Sequence, residues 1–424
     1  MASPVVSRHV VAVPIPGRGH INPMLAVCRH LAAADAALAV TVVVTEEWHA
    51  LLESAGVPTA LPDRVGFATI PNVIPSEHDR GADHIGFIVA VHTRMAAAVE
   101  RLLDRLVDVS NFVPFLKNNL NLKQSVKLSC RSLEQYVPGL SSVRLSDIKT
   151  FRASWERPMK IAEEALVNIL YPLHLLPRAR TGNHQQNSRN GSMPHITIYP
   201  IGPSIPHLPR NGDDPGKIGN DDHRSWLDAR QENSVLYVSF GSYVTMSHSQ
   251  LEEIAMALLD SGVQLFWVGR DKADSLQQQV GGDNGLVVPW SEGLFHPSIG
   301  GFLSLCGWNS VLEAVSAGVP LLAFPIGWDQ LADGHIVADE WKIGINLRGQ
   351  RGEDGIVSRA AIRAAVIKLM DLDDNESQEM RRRAAKLHAA RRGAIQEGGS
   401  SHRSLNSLVN DLAQGRLNGA GTCQ

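Results

Sequence analysis

The sequence predicts a two-domain α/β protein, Rossmann-like in both halves, on three observations. The 424 residues exceed one ordinary domain. Short apolar runs alternate with helical patterns from the start of the chain, as parallel β-α-β units require. Residues 290–330, WSEGLFHPSIGGFLSLCGWNSVLEAVSAGVPLLAFPIGWDQ, spell a further β-α-β unit, with small and polar residues gathered where strand gives way to helix. Composition fits an ordinary globular protein, with 44% hydrophobic and 20% charged residues. A net charge of −3 gives no reason to expect nucleic acid or an acidic membrane as partner. Cys28, Cys130, Cys306 and Cys423 lack metal-site spacing and read as reduced thiols of a cytoplasmic protein. The first 16 residues carry too short an apolar run for a signal peptide or a membrane span.

The first domain is expected over 1–202. Residues 9–16 read as a strand, followed by the loop Gly17-Arg18-Gly19-His20. A helix then starts with Asn22 as cap and Pro23 at its first position. Its Leu25, Cys28, Leu31 and Ala32 repeat at helical spacing. Strands follow at 39–45 and 65–70, with a short helix over 47–55 between them and a longer one from 84 to 106. From 108 to 144 the alternation stops. A doubly wound sheet needs more than three strands to cover both faces, so this domain is expected to lack strands between 107 and 150. Helical periodicity returns at 153–175, and 178–193 is polar. Residues 203–222, rich in Pro, Gly and Asp, read as a linker.

The second domain, 223–395, is more regular. A strand at 234–240 leads to a Gly241-Ser242 turn, and Ser249 with Glu252 forms a capping box. The helix so opened places Leu251, Ile254, Ala255, Leu258 and Leu259 on one face. Strands are predicted at 264–268, 286–288, 300–305, 319–325 and 344–347. Asn309 and Ser310 open the helix before the fourth of these, and Gly318 closes it. Helices are also predicted at 333–341, 358–370, 378–395 and 401–412. The basic, Ala-rich one at 378–395 reads as a solvated face.

A helix start at 309–310, just past a strand, is an anion site. Glu313 follows one turn later, and Asp329 and Gln330 lie just past the next strand. These are the carboxyl ends of parallel strands, where open α/β sheets bind ligands. Gly17-Arg18-Gly19 with Glu46 forms part of a dinucleotide fingerprint, but Asn22 stands where its third glycine belongs. That keeps a nicotinamide oxidoreductase as a weak alternative.

Trp290, then Cys306-Gly307-Trp308-Asn309-Ser310, Glu313, Gly318-Val319-Pro320 and Asp329-Gln330 closely resemble, in order, the signature box of plant secondary-product UDP-glycosyltransferases (glycosyltransferase family 1). The resemblance implies the GT-B architecture, two Rossmann-like domains facing a cleft, with the helix of 396–424 returning to the first. It implies transfer of a sugar, glucose first, from a UDP-sugar to a hydroxyl of a small apolar plant metabolite such as a flavonoid, another phenolic or a terpenoid. The transfer goes with inversion and needs no metal or other cofactor. His20 takes the place of the family's catalytic base. Trp290 would stack on uracil. Ser242, Asn309 and Ser310 would contact the phosphates, and Trp308 belongs to the same donor-binding group. Glu313 would bind the ribose, and Trp328, Asp329 and Gln330 the sugar hydroxyls.

Three departures stand out. Leu305 replaces a His that contacts the diphosphate. Gly293 replaces a Gln near uracil, in a shortened stretch of the box. The Asp that orients the base has no counterpart motif, since Asp104 and Asp108 lack its surroundings. A catalytically impaired or non-catalytic UDP-sugar-binding homologue therefore stays open as the alternative.

Overall fold

The structure, a computed structural model, describes residues 8–54, 57, 61–77, 84–107, 201–202, 221–241, 246–269, 273–282, 285–289, 291, 293–327 and 329–413. The chain forms two compact units, Met1–Pro206 with Ala394–Gln424, and His207–Gly393. The expectations for 108–144, 153–175 and 178–193, and nearly all of the linker, lie outside the described residues.

In the first unit, β1 (Arg8–Ala12), β2 (Leu38–Thr45) and β3 (Val65–Ile70) form a parallel sheet in the order β1-β2-β3. Alternating side chains serve its two faces, as the strand period demands. Val10, Ala12, Val40, Val42 and Val44 pack against α1 (Arg18–Ala34), α2 (Glu46–Ser54) and α12 (Ser400–Ala413). Val11 and Val43 pack against Met95 and α4 (Ala96–Val107). The expected long helix is α3 (His84–Ala90), a π-helical turn over Val91–Met95, and α4.

α1 corrects the sequence reading. It starts at Arg18 after an extended Gly17, so the Gly17–His20 loop is mostly helix and Asn22 and Pro23 lie inside it. The Ile21 amide already bonds the Gly17 carbonyl at 2.9 Å, and Ile21 is fully buried with Leu25. Burying Ile21 in the core extends the helix N-terminally. Pro23 then lacks one N–H in the ladder.

The second unit is a six-stranded parallel sheet in the order β6-β5-β4-β7-β8-β9. Its strands are β4 (Val235–Ser239), β5 (Gln264–Val268), β6 (Gly285–Val288), β7 (Ile299–Ser304), β8 (Leu321–Ala323) and β9 (Gly344–Asn346). The order runs outward in both directions from β4, so the topological switch point lies between β4 and β7. β7 is buried throughout. A methyl at Gly300 would meet the Asn233 carbonyl, so glycine lets the neighbouring backbone approach. Leu303 joins the core on one face of the sheet, and Phe302 joins the core on the other.

The flanking helices are α5 (Asp221–Asp228), α6 (His248–Ser261), α7 (Ala273–Val280), α8 (Trp308–Ala317), α9 (Gln330–His335), α10 (Arg359–Met370) and α11 (Asn375–Ile395). The cap of α6 is Ser247, whose side chain accepts from the Gln250 amide at 3.3 Å. The expected box of Ser249 and Glu252 does not form. Glu252 lies 3.5 Å from His248 instead, and Leu259 on the predicted apolar face is exposed. Replacing Ser247 with Ala should therefore cost about 1 kcal/mol, read as a lower urea midpoint at unchanged slope, whereas Ser249→Ala should leave the midpoint in place. Helix α9 begins three residues before the expected start and continues as a π-helical turn over Ile336–Glu340. Among the described residues no helix is long and apolar enough to cross a membrane.

Candidate functional site

The site residues of the second unit gather at one edge of its sheet. Ser239, Ser304 and Ala323 pair across β4, β7 and β8, so these strands end together beside the switch point, where open sheets take ligands. The chain leaves β7 through Leu305 and Cys306. Cys306 adopts a left-handed φ of 61°, and its amide donates to Ser304 Oγ at 3.1 Å. This reversal aims α8 away from the strand end. Gly307 caps α8 in extended conformation without a side-chain bond. Asn309 and Ser310 sit inside the first turn rather than at the cap, which corrects the sequence reading. That first turn carries no acidic residue, so its amides present an uncompensated positive end. Gly318 closes the helix at φ 72°, a conformation that disfavours any Cβ.

Glu313 lies one turn into α8 and is half-buried. Helix α9 packs against α8, and Asp329 occupies its N-cap position without a side-chain capping bond. Burial raises the Asp329 carboxyl above the usual range, partly offset by backbone N–H donors at its own position and at Gln330. Gln330 is nearly buried. Its Oε1 accepts from the Ile326 and Gly327 amides at 3.0 and 3.3 Å, so the side chain braces the loop after β8 and leaves only its Nε2 for a ligand.

Trp308 is half-buried and packs on Trp341, with ring centroids 6.2 Å apart. Leu305 is 3% exposed and belongs to the core. This side chain points into the sheet packing, so Leu305 itself offers no polar group where the family has a His. Gly293 is also buried. A Cβ there would press on Leu227 and Phe266 at 3.2 Å, so the position is filled by core rather than by a ligand contact. His296 ties α5 to the loop before β7. It bonds Asp228 at 2.9 Å and Ser298 Oγ at 2.8 Å, and the hydrogen bond from His296 holds the Asp228 carboxyl below its ordinary range.

In the first unit, His20 is exposed in the first turn of α1. Its neighbour Arg18 lies over the Trp48 ring at 5.9 Å. Ser242, Trp290 and Trp328 lie outside the described residues. Among those described, no cluster of three His, Cys, Asp or Glu side chains offers a metal site.

One residue escaped the sequence reading. Asp333 follows Asp329 by four positions, the spacing that puts two side chains on one helix face. It is fully buried.

Comparison with known proteins is consistent with this arrangement. A family model described as UDP-glucoronosyl and UDP-glucosyl transferase matches residues 214–361. The chain is 35% identical over 446 residues to UDP-glycosyltransferase 87A2 of Arabidopsis thaliana, covering 96% of this chain and 97% of that one. It is 28% identical over 462 residues to flavonol 3-O-glucosyltransferase UGT76E12 of the same plant, covering 95% and 96%. Its fold is similar to that of Phytolacca americana UGT2 complexed with UDP-2fluoro-glucose and pterostilbene, with a TM-score of 0.69 at 22% identity over 96% of this chain and 100% of that one.

Proposed function

The chain belongs to the plant UDP-glycosyltransferases of glycosyltransferase family 1 and has their GT-B fold, and from that premise we propose that it transfers glucose from UDP-glucose to a hydroxyl of a small apolar plant metabolite. Flavonoids and other phenolics are the first acceptors to try, since one relative is named a flavonol glucosyltransferase. The observation that carries the reading is the clustering of Asn309, Ser310, Glu313, Asp329 and Gln330 at the ends of β7 and β8. The reaction needs a base, an aligned anomeric carbon and stabilisation of the departing diphosphate.

In this proposal His20 Nε2 or Nδ1 removes the acceptor proton. The acceptor oxygen attacks the anomeric carbon from the face opposite UDP, so configuration inverts. The C–O bond to the diphosphate breaks, and the amide end of α8 with Asn309 and Ser310 takes up the charge left on UDP. Glu313 accepts hydrogen bonds from the ribose hydroxyls. Asp329 and the Gln330 Nε2 hold the sugar hydroxyls. Ser242, Trp290, Trp308 and Trp328 complete the donor pocket. No metal or other cofactor takes part. The buried thiols Cys28 and Cys306 support a cytoplasmic setting.

The test is turnover of UDP-glucose by the purified protein over a panel of phenolic acceptors, with the anomeric configuration of the product read by NMR. Binding of UDP without turnover over the whole panel would favour the non-catalytic alternative, which the buried Leu305 supports. Within the proposal, Glu313→Ala should weaken UDP binding by about 10- to 100-fold, the worth of a hydrogen bond to a charged group. Calorimetry reads that loss directly, and kcat at saturating donor should stay near wild type.

A further inference from the structure

Asp333 is fully buried on α9, and neither of its carboxyl oxygens has a hydrogen-bond partner among the described residues. Such a group is rare in a native fold and calls for a reason. The charged and titratable groups that bear on it among the described residues are few. Asp329 lies one turn back on the same helix, and the two carboxyls repel. His335, on the same helix, is paired with Asp339 at 2.7 Å. The buried Cys306 thiol, from the turn after β7, feels the Asp333 carboxyl and is raised by burial and by that neighbour. Arg351 donates to the Pro325 carbonyl at 3.2 Å, and Arg348 lies near it. Neither guanidinium reaches the Asp333 oxygens.

Two carboxylates this close in a buried place cannot both ionise. Asp329 is partly exposed and has backbone N–H donors; Asp333 has neither. The charge therefore settles on Asp329 and the proton on Asp333. Asp333 also lies beside Cys306, in the turn that leads into α8 with Asn309 and Ser310.

We infer that Asp333 is a positioning residue that works as the neutral acid: protonated, it lets Asp329 keep its charge and place at the donor end of the site, and its ionisation dismantles that end. The donor role of Asp329 rests on the function proposed above. The expected consequence is an alkaline limit on donor binding set by a residue that touches no substrate.

The experiment compares wild type with Asp333→Asn, a neutral residue of the same shape. UDP-glucose affinity is measured by calorimetry from neutral to alkaline pH. Wild type should lose about tenfold per pH unit once Asp333 titrates, and Asp333→Asn should stay flat. Melting of the ligand-free proteins gives an independent reading. The native state keeps a proton that the unfolded chain releases near pH 4, so Asp333's contribution to stability is fully present below that pH and declines as pH rises toward the folded value. The gap in Tm favouring Asp333→Asn should widen with pH. Infrared spectra of ligand-free wild type at neutral pH should show a protonated carboxyl carbonyl band that Asp333→Asn removes, and the wild-type band should fade with alkali. Superimposed affinity profiles, or an infrared band that is absent or unchanged by the substitution, would overturn the inference. If neither protein binds UDP-glucose at any pH, the donor site and the positioning role fall together, while the infrared band and the melting gap still decide whether Asp333 holds its proton. Should Asp333→Asn not fold, the pH dependence of the wild-type band decides that same point.

Discussion

His20→Ala is expected to lower turnover by about 10²- to 10⁴-fold while leaving UDP affinity unchanged, the usual span for removing a general base. The acceptor hydroxyl is a poor nucleophile until its proton is taken. An imidazole is neutral in most molecules near pH 7 and can accept that proton. His20 sits in the first turn of α1, on a helix anchored in the core by Ile21, Leu25 and Cys28, so its backbone is well fixed. Being exposed, the residue can be shortened without opening a cavity, and the Tm of the variant should match wild type. Steady-state kinetics with saturating UDP-glucose, paired with calorimetry of UDP, separates the roles. Equal turnover by wild type and variant would show that the base is some other group.

Phe302→Ala should destabilise the second unit by about 3–5 kcal/mol, the range for emptying a buried aromatic position. Phe302 is 1% exposed on β7, an inner strand of the six. Its ring meets Tyr237 edge-on at 5.1 Å, and Tyr237 stacks on Phe266 at 5.9 Å. Deleting it removes one member of a three-ring column directly under the strand that delivers α8. The surrounding β strands are held in register by their backbone ladders and cannot collapse into the space. Denaturant unfolding should show the transition of the second unit at a lower midpoint with unchanged slope. Bound UDP should recover part of the loss, since a ligand that prefers the native state stabilises it by mass action. A loss under 1 kcal/mol would mean that this column is far more plastic than its packing indicates.

Much of the second unit was legible because its strands are short, apolar and punctuated. The predicted strand over 264–268 matches β5, and Gly318 closes its helix as expected. Helix starts were harder. Asn22-Pro23, Ser249 with Glu252, and Asn309-Ser310 all have the chemistry of caps, yet the helices begin at Arg18, His248 and Trp308. In α1 the burial of Ile21 decided the matter. In α6, Ser247 competes with Ser249 for the same role, and Gln250 is drawn instead to both backbone groups of Val357, a partner 107 positions away that no local pattern announces.

The residues at the ends of β7 and β8 were readable as a set, because strand ends and helix starts are marked by sequence. Which way a side chain leaves a strand end was not, so the inward course of Leu305 and the bracing role of Gln330 came only with the fold. The Asp329–Asp333 spacing was visible in the sequence, but its meaning depends on burial.

Helix α12 contributes Val409 and Leu412 to the first sheet's core, although nearly two hundred residues of the other unit separate it from the rest of that core. During synthesis the ribosome must finish the entire second unit before it releases this last piece. The first-made half therefore waits with that sheet face covered by α1 and α2 but lacking Val409 and Leu412 until α12 emerges, and that interval is when a chaperone has apolar surface to hold.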